Sequence, residues 1–451
     1  MTLDAGGVRR LFIYGQNDWR FRRPALDLFG VELRALFIAL LTLCMAWGCA
    51  RDVPRVSTET ASRSAVILVP GYYGTRLLRE GDDRLMWLST SQALGDGPSL
   101  TLPLADLGLS GASLRPDGIL EQIAIVPWVY RIDAYESMLK TLRSSGLRTV
   151  TFSYDWREDL MPAVRSLHDT IAGLKRDGIE QIVLVAHSMG GLIACYYLRY
   201  GMQEPETAKE TWEGADKITA VVVAGVPFEG SMTVFRNMTY GRPIGWNETL
   251  LSFETVSSFP ASYYLLPHTG TDVLFSQGGL ERQGLISDAA NWDRYHWGLL
   301  REKDRYSSAL ASKRLAYIAK WLKHVDRFHD LVHASQNGHA ASEKPFMWVG
   351  GTGRRTLAKG ILHDDATGKA SITFEDASLA QGAYQPTLFE PGDGTVTYQA
   401  SALPDAYARR FVITNRLYEA EHIELMNRED IRQDILGFIV KEIAAASLLP
   451  R

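Results

Sequence analysis

Between Gln181 and Tyr200 the chain reads QIVLVAHSMGGLIACYYLRY, a β-like apolar run and a helix-like apolar run with one serine at the junction. The first run is continuous and rich in β-branched residues, as a strand covered on both faces must be. Helix character follows at once, so the junction is a tight turn. Ala65 to Pro70, Leu147 to Asp155 and Lys217 to Gly225 repeat the strand character, and helix-like stretches at Ala134–Arg143 and Met161–Arg176 lie between them. Strands alternating with helices at this spacing imply βαβ units and a mostly parallel sheet, hence an α/β fold.

That rhythm stops near Ser231. Residues 231–344 are aromatic-rich and irregular, with FPASYYLLP and NWDRYHWGLL, and are expected to form a cap or lid inserted into the sheet domain. Strand character returns at Pro345–Gly351, and Thr356–Phe374 reads as a hairpin turning at Asp364–Gly368. Arg409–Asn415 is expected as the last core strand and Arg428–Ala446 as a terminal amphipathic helix. The core is therefore expected over residues 65–230 and 345–451. A net charge of −4 gives no reason to expect a nucleic-acid partner. Neither a P-loop nor a G-x-G-x-x-G after a strand is present, so no nucleotide cofactor is expected.

Residues 1–50 need separate treatment. Arg20, Arg22, Arg23 and Arg34 precede an uncharged run of sixteen residues, Ala35 to Ala50, whereas a comfortable membrane span takes about 20. A basic flank, a short apolar run and then small residues resemble a secretory signal. Ala46-Trp47-Gly48-Cys49 resembles the bacterial lipoprotein box whose cysteine is acylated. The expectation is a targeting segment over 1–50 and a polar linker over 51–64. The chain would then be exported and membrane-associated in a bacterial envelope, acylated at Cys49 or held by an N-terminal signal anchor; a buried helix stays open. Beyond Cys44 and Cys49 the only cysteine is Cys195, so the folded body can form no internal disulfide.

Ala186-His187-Ser188-Met189-Gly190 fits the nucleophile-elbow pattern G-x-S-x-G with alanine at its first position. A serine on such a turn is forced outward, and small neighbours let the backbone bend. The helix from Met189 aims free N–H groups at any oxyanion formed there. In α/β-hydrolases the partners follow in the order serine, acid, histidine. Of ten histidines, only His422 lies past the last strand and just before the terminal helix. Asp393, between two glycines in EPGDGTVTY, is the expected acid, whereas Asp364 and Asp365 belong to their turn. His187 should point away from Ser188 and pack. His324, His329, His333 and His339 lack the spacing of a ligand set, so a solvated helix and no metal are expected. The loop VPGYYGTRL after the first strand supplies the second oxyanion donor: Tyr72 N–H paired with Met189 N–H, with Tyr73 as the fallback.

LVPGYYGTRL, FSYDWR, VAHSMGG and GDGTV followed by EH, with GVPFEGS and the pair Trp87-Leu88, together resemble the lecithin:cholesterol acyltransferase family. The resemblance implies an α/β-hydrolase core with a cap and a triad of Ser188, Asp393 and His422. It also implies a phospholipid or other lipid ester as acyl donor, with transfer to water or an alcohol acceptor at a membrane surface. Tyr73 and Trp87 are the expected substrate contacts, and Asp155 with Arg157 is expected as a structural ion pair. Animal members close a membrane-binding loop with a disulfide that this chain cannot form. A soluble-ester esterase and a non-catalytic lipid-binding envelope protein are the alternatives.

Overall fold

Six parallel strands form the central sheet of the computed structural model: β1 (Ser64–Val69), β2 (Arg148–Thr151), β3 (Gln181–His187), β4 (Ala220–Ala224), β5 (Pro345–Thr352) and β6 (Val412–Glu419). Their spatial order is β6-β5-β4-β3-β1-β2. The structure describes residues 55–89, 92, 95, 99–126, 130–245, 247–268, 274–276, 281–335, 341–364, 370–375 and 388–448. The expected targeting segment 1–50 with Cys44 and Cys49, His339, and the hairpin turn from Asp365 onward lie outside these residues. Among the described residues no helix is long and apolar enough to cross a membrane.

Alternation across the strands sorts the core into two layers. Ile67 and Val69 of β1 share one face with Leu184 and Ala186 of β3, while Val66, Leu68, Val183 and Val185 face the other side. The first face is covered by α2 (Leu160–Arg176) and α3 (Met189–Tyr200), the second by α1 (Glu136–Ser144) and the terminal helix Glu429–Ser447. Both faces are buried, which is why the strands read as unbroken apolar runs. The chain runs from β1 to β2 on one side and then steps back past β1 to β3 on the other. This reversal opens a crevice at the strands' carboxyl ends, the usual position for a ligand site in an open α/β sheet.

Three departures from the expected elements have local causes. A short helix, Thr58–Ser62, capped by the Ser57 hydroxyl, stands where linker was expected. Arg409 and Arg410 close a helix, Asp405–Arg410, and the last strand begins only at Val412. The stretch 231–344 is not irregular: it holds α4 (Met232–Tyr240), several short helices and the 26-residue α5 (Ser308–His333). Ile318, Trp321, Leu322, Val325 and Phe328 of α5 are buried, as a helical apolar stripe requires.

Arg157 is the pivot between sheet and cap. It is 1% exposed, binds Asp155 through Nη2–Oδ2 at 2.7 Å and Nε–Oδ1 at 3.0 Å, and donates from Nη1 to Leu100 O at 3.0 Å. Its own carbonyl accepts the Ala261 N–H of the cap at 3.3 Å. Neither charge lines the crevice cavity, so the pair holds loops. Removing one partner of such a buried pair costs about 3–5 kcal/mol because the other charge is stranded. Arg157→Met should therefore lower unfolding stability in urea by that order, and Asp155→Leu in the same chain should restore part of the loss. A change below about 1 kcal/mol for the single variant would contradict this role.

Candidate active site

Ser188 occupies the turn between β3 and α3 with φ 54° and ψ −129°, a region that non-glycine residues rarely enter. Such a conformation costs about 1–3 kcal/mol and persists only where neighbours over-determine it. Here the Ser188 N–H donates to Ala224 O at 2.8 Å, and its carbonyl accepts the Gly191 N–H at 2.8 Å. Glycine is required on both sides of the turn. A Cβ on Gly71 would lie 2.7 Å from Ser188 Cβ, and one on Gly190 would lie 2.5 Å from Pro70 O. The β1 loop and the elbow therefore close on each other with no side chain between them.

FSYDWR suspends that loop. Tyr154 Oη donates to Pro70 O at 2.8 Å, and Trp156 Nε1 donates to Thr75 O at 2.9 Å. The motif holds both ends of the Gly71–Gly74 turn, within which Gly74 N–H bonds Gly71 O at 3.0 Å. Among the described hydrogen bonds neither the Tyr72 N–H nor the Met189 N–H has an acceptor. Met189 is the first residue of α3, where N–H groups have no partner within the helix.

Asp393 and His422, the expected acid and base, come from two loops locked together. His422 Nδ1 lies 2.7 Å from Asp393 Oδ2, and the His422 N–H donates to Asp393 O at 2.9 Å. Asp393 Oδ1 accepts the N–H groups of Thr395 and Val396 at 2.9 and 2.7 Å. Asp393 is 2% exposed. Burial alone would push its carboxyl up, but His422 and the two amides together hold it below the usual range. With Nδ1 bound to Asp393, the imidazole has Nε2 left for a proton from a nucleophile.

Ser188, Asp393 and His422 line one cavity of about 690 Å³ together with Tyr72, Tyr73 and Leu265. The described hydrogen bonds do not include one from Ser188 Oγ to His422; such contacts are often long before substrate binds. Tyr73, an expected substrate contact, lines the cavity. Trp87 does not. It is 2% exposed, donates from Nε1 to Tyr73 O at 2.8 Å and packs on Tyr73 and Trp156, so it supports the loop from behind.

The sequence carries no signal for Tyr135 and points to packing for His187, yet the two form a directed relay. Gly71 N–H donates to Tyr135 Oη at 2.8 Å, Tyr135 Oη lies 2.8 Å from His187 Nδ1, and His187 Nε2 lies 3.0 Å from His422 O. A carbonyl only accepts, so Nε2 carries the proton and Nδ1 accepts from the tyrosine. Burial first, and then the nearby charge of His422, push the His187 pKa down to about 3. No spacing rule links residues 135 and 187, and only the sheet topology joins them.

A parallel six-stranded sheet, a strained serine at the strand–helix turn and an Asp–His pair beyond the later strands define an α/β-hydrolase. Similarity to known proteins carries the assignment further. A model of the lecithin:cholesterol acyltransferase family matches residues 110–297, which include Ser188. The Saccharomyces cerevisiae protein YJR098C, described as uncharacterized, is 24% identical over 215 residues, 46% of this chain and 29% of that protein. The chain thus matches less than a third of the length of this curated relative. Among solved structures, one of the Tle4–Tli4 complex aligns with a TM-score of 0.51 and 17% identity over 85% of this chain and 99% of that one. EstA from Clostridium botulinum aligns over 87% and 89% with 13% identity and a TM-score of 0.34. Over residues 110–297 the chain is similar to the lecithin:cholesterol acyltransferase family.

The neutral His187 makes a pH prediction. Between its ordinary value near 6.5 and the folded value of about 3, the unfolded chain binds a proton that the folded chain refuses. Stability therefore falls as pH falls through this window. The Tm should drop between pH 7 and pH 5, and His187→Gln should make that drop shallower. Identical slopes in both proteins would show that His187 is not held neutral.

Proposed function

We propose that the chain is a serine-dependent acyl-ester hydrolase or acyltransferase that takes its acyl group from a phospholipid or a related lipid ester. The observation that carries this is the Asp393–His422 contact of 2.7 Å opening onto the same cavity as Ser188. In the reaction, Ser188 Oγ attacks the ester carbonyl and its proton passes to His422 Nε2. Asp393 stabilises the resulting imidazolium. The oxyanion is held by the Tyr72 and Met189 N–H groups, each such donor being worth about 3 kcal/mol. The C–O bond of the ester breaks, the leaving alcohol takes the proton from His422, and an acyl-serine remains. Water or a second alcohol then attacks the acyl carbon with His422 as base. Free acid or a new ester leaves, and Ser188 regains its proton.

The lining favours a lipid with an anionic group. Leu120, Val234, Leu265 and Ile423 supply apolar wall, and Arg236 and Arg242 face the same space. Among the described residues neither arginine pairs with a carboxylate. Burial, and then the charge of Arg242, lower the Arg236 pKa, so an anion between the two would relieve both. A site of this kind suits a chain held at a membrane surface, by acylation at Cys49 or by a signal anchor.

Acyl-labelled anionic phospholipid vesicles with a long-chain alcohol test the reading. Ser188→Ala should lower label release by at least about 1,000-fold. Label in free fatty acid identifies a hydrolase and label in a new ester a transferase. No serine-dependent release would overturn the lipid assignment in favour of soluble esters. Arg242→Met should lower turnover of anionic phospholipid by about ten-fold or more, the size of a lost charge-assisted hydrogen bond. It should spare a neutral short-chain ester; equal losses on both substrates would count against anion recognition.

A further inference from the structure

A second cluster lies behind the loop that follows β4. His329 and His333 stand one turn apart on α5, His268 comes from the chain just past the short helix Pro260–Tyr264, and Glu229 comes from the β4 loop. One ring nitrogen from each of the three histidines lies within 4.8 Å of those of the other two. The rings stack: His268 is 4.8 Å from His329 at 17° and 5.0 Å from His333. Glu229 Oε2 lies 2.5 Å from His268 Nε2, and Oε1 lies 3.4 Å from His333 Nδ1.

The outer hydrogen bonds decide what the cluster is for. His329 is 1% exposed and donates Nε2–H to Tyr264 O at 2.9 Å, which leaves its Nδ1 lone pair turned inward. That buried Nδ1 has no hydrogen-bond partner among the described residues. His333 likewise donates Nε2–H to Phe228 O at 2.9 Å and turns Nδ1 toward Glu229. Two imidazoles fixed as the same tautomer by main-chain carbonyls, with their other nitrogens converging, is the arrangement that metal-binding histidines use. A hydrogen-bonded core cluster would instead satisfy the buried Nδ1.

We propose that His268, His329, His333 and Glu229 bind one divalent transition-metal ion, with zinc the best fit. Three imidazole nitrogens and one carboxylate oxygen would make up the four ligands of a tetrahedral zinc site. Zinc–nitrogen bonds of about 2.0–2.1 Å set ligand nitrogens about 3.4 Å apart. The three nitrogens must therefore draw together, and His268, His333 and Glu229 are all less deeply buried than His329. With all four positions filled by protein, the ion has no open site for water. It ties the β4 loop to α5 and the chain after Tyr264. This departs from the expectation of no metal, because spacing along one helix does not include His268, some sixty residues upstream of the α5 pair. His324, on the same helix, belongs elsewhere, bound to Glu206 and Tyr264 at 2.8 Å each. Nor is α5 a solvated helix at this point, since His329 is buried.

The test is titration of the full chain, free of any histidine tag and stripped with chelator, with zinc chloride alone. Calorimetry should give one ion per chain with a micromolar or tighter Kd. Cobalt chloride should give the visible absorption bands of a tetrahedral nitrogen–oxygen site, and zinc should raise the Tm. His268→Gln and His333→Gln, each confirmed folded by circular dichroism, should weaken binding at least 100-fold. Glu229→Gln should weaken it about ten-fold. Absence of stoichiometric binding by the wild-type chain overturns the proposal, as does binding unchanged in both histidine variants. The metal titration does not depend on the acyl-transfer reading and would stand if that reading failed.

Discussion

The contact between the β1 loop and the β3–α3 elbow is the constraint on which the site depends. Ser188 is held in a disfavoured backbone conformation, and Gly71 packs directly against its Cβ. A strained residue needs surroundings that cannot relax, and here the surroundings are two adjacent inner strands of the sheet. β1 and β3 pair in register along their whole length, from Ser64–Gln181 to Val69–Ala186. The ladder delivers the loop and the elbow to the same height. The serine is exposed to the crevice because the sheet leaves its backbone no other course.

Electrostatic order is imposed on this frame by groups that do not themselves react. His187 sits between His422 and Tyr135 and must stay neutral, because a proton on Nδ1 would displace the tyrosine hydrogen from its acceptor. A charged His187 would also face the imidazolium of His422, whose ring centroid is 4.7 Å away. Burial suppresses the charge on His187, while the Nδ1 of His422 is bound to Asp393. Two histidines within contact distance thus receive different tasks from their surroundings. The same relay engages the loop after β1: the Gly71 N–H is spent on Tyr135, and the next residue, Tyr72, lines the cavity.

What could be read from the sequence followed burial. β3 and α3 were legible to the residue, because both are enclosed on all sides and their apolar runs have sharp ends. The triad candidates were legible from chain order once the serine was placed. β6 was displaced by several residues: it is an edge strand, exposed at Val412 and Leu417, and lacks the unbroken apolar signature. Trp87 was read as a ligand contact on resemblance, whereas an indole within reach of two aromatic rings and a carbonyl is satisfied as core. Tyr135, Arg236 and His268 were beyond reach for one reason. Each meets its partners only through tertiary contacts, and no local pattern records those.

The segment Gly225–Ser231 ties these features into one mechanical unit. It leaves β4 with the Gly225 N–H bonded to Val349 O at 2.9 Å. A Cβ on Gly225 would meet the His422 ring at 3.1 Å, so this loop forms the floor under the base. Farther along, Glu229 N–H bonds Ala400 O at 3.0 Å, and the Ser231 hydroxyl bonds Thr395 O, two residues from the acid, at 2.6 Å. Its carbonyl at Phe228 and its carboxylate at Glu229 meet α5. Any shift of α5 meets a segment that lies against His422, bonds the Asp393 loop at Thr395 and lines the cavity. Packing of this kind transmits displacement rather than absorbing it. Glu229 and His333 are thus joined to the Asp393 loop and to His422 through one short segment.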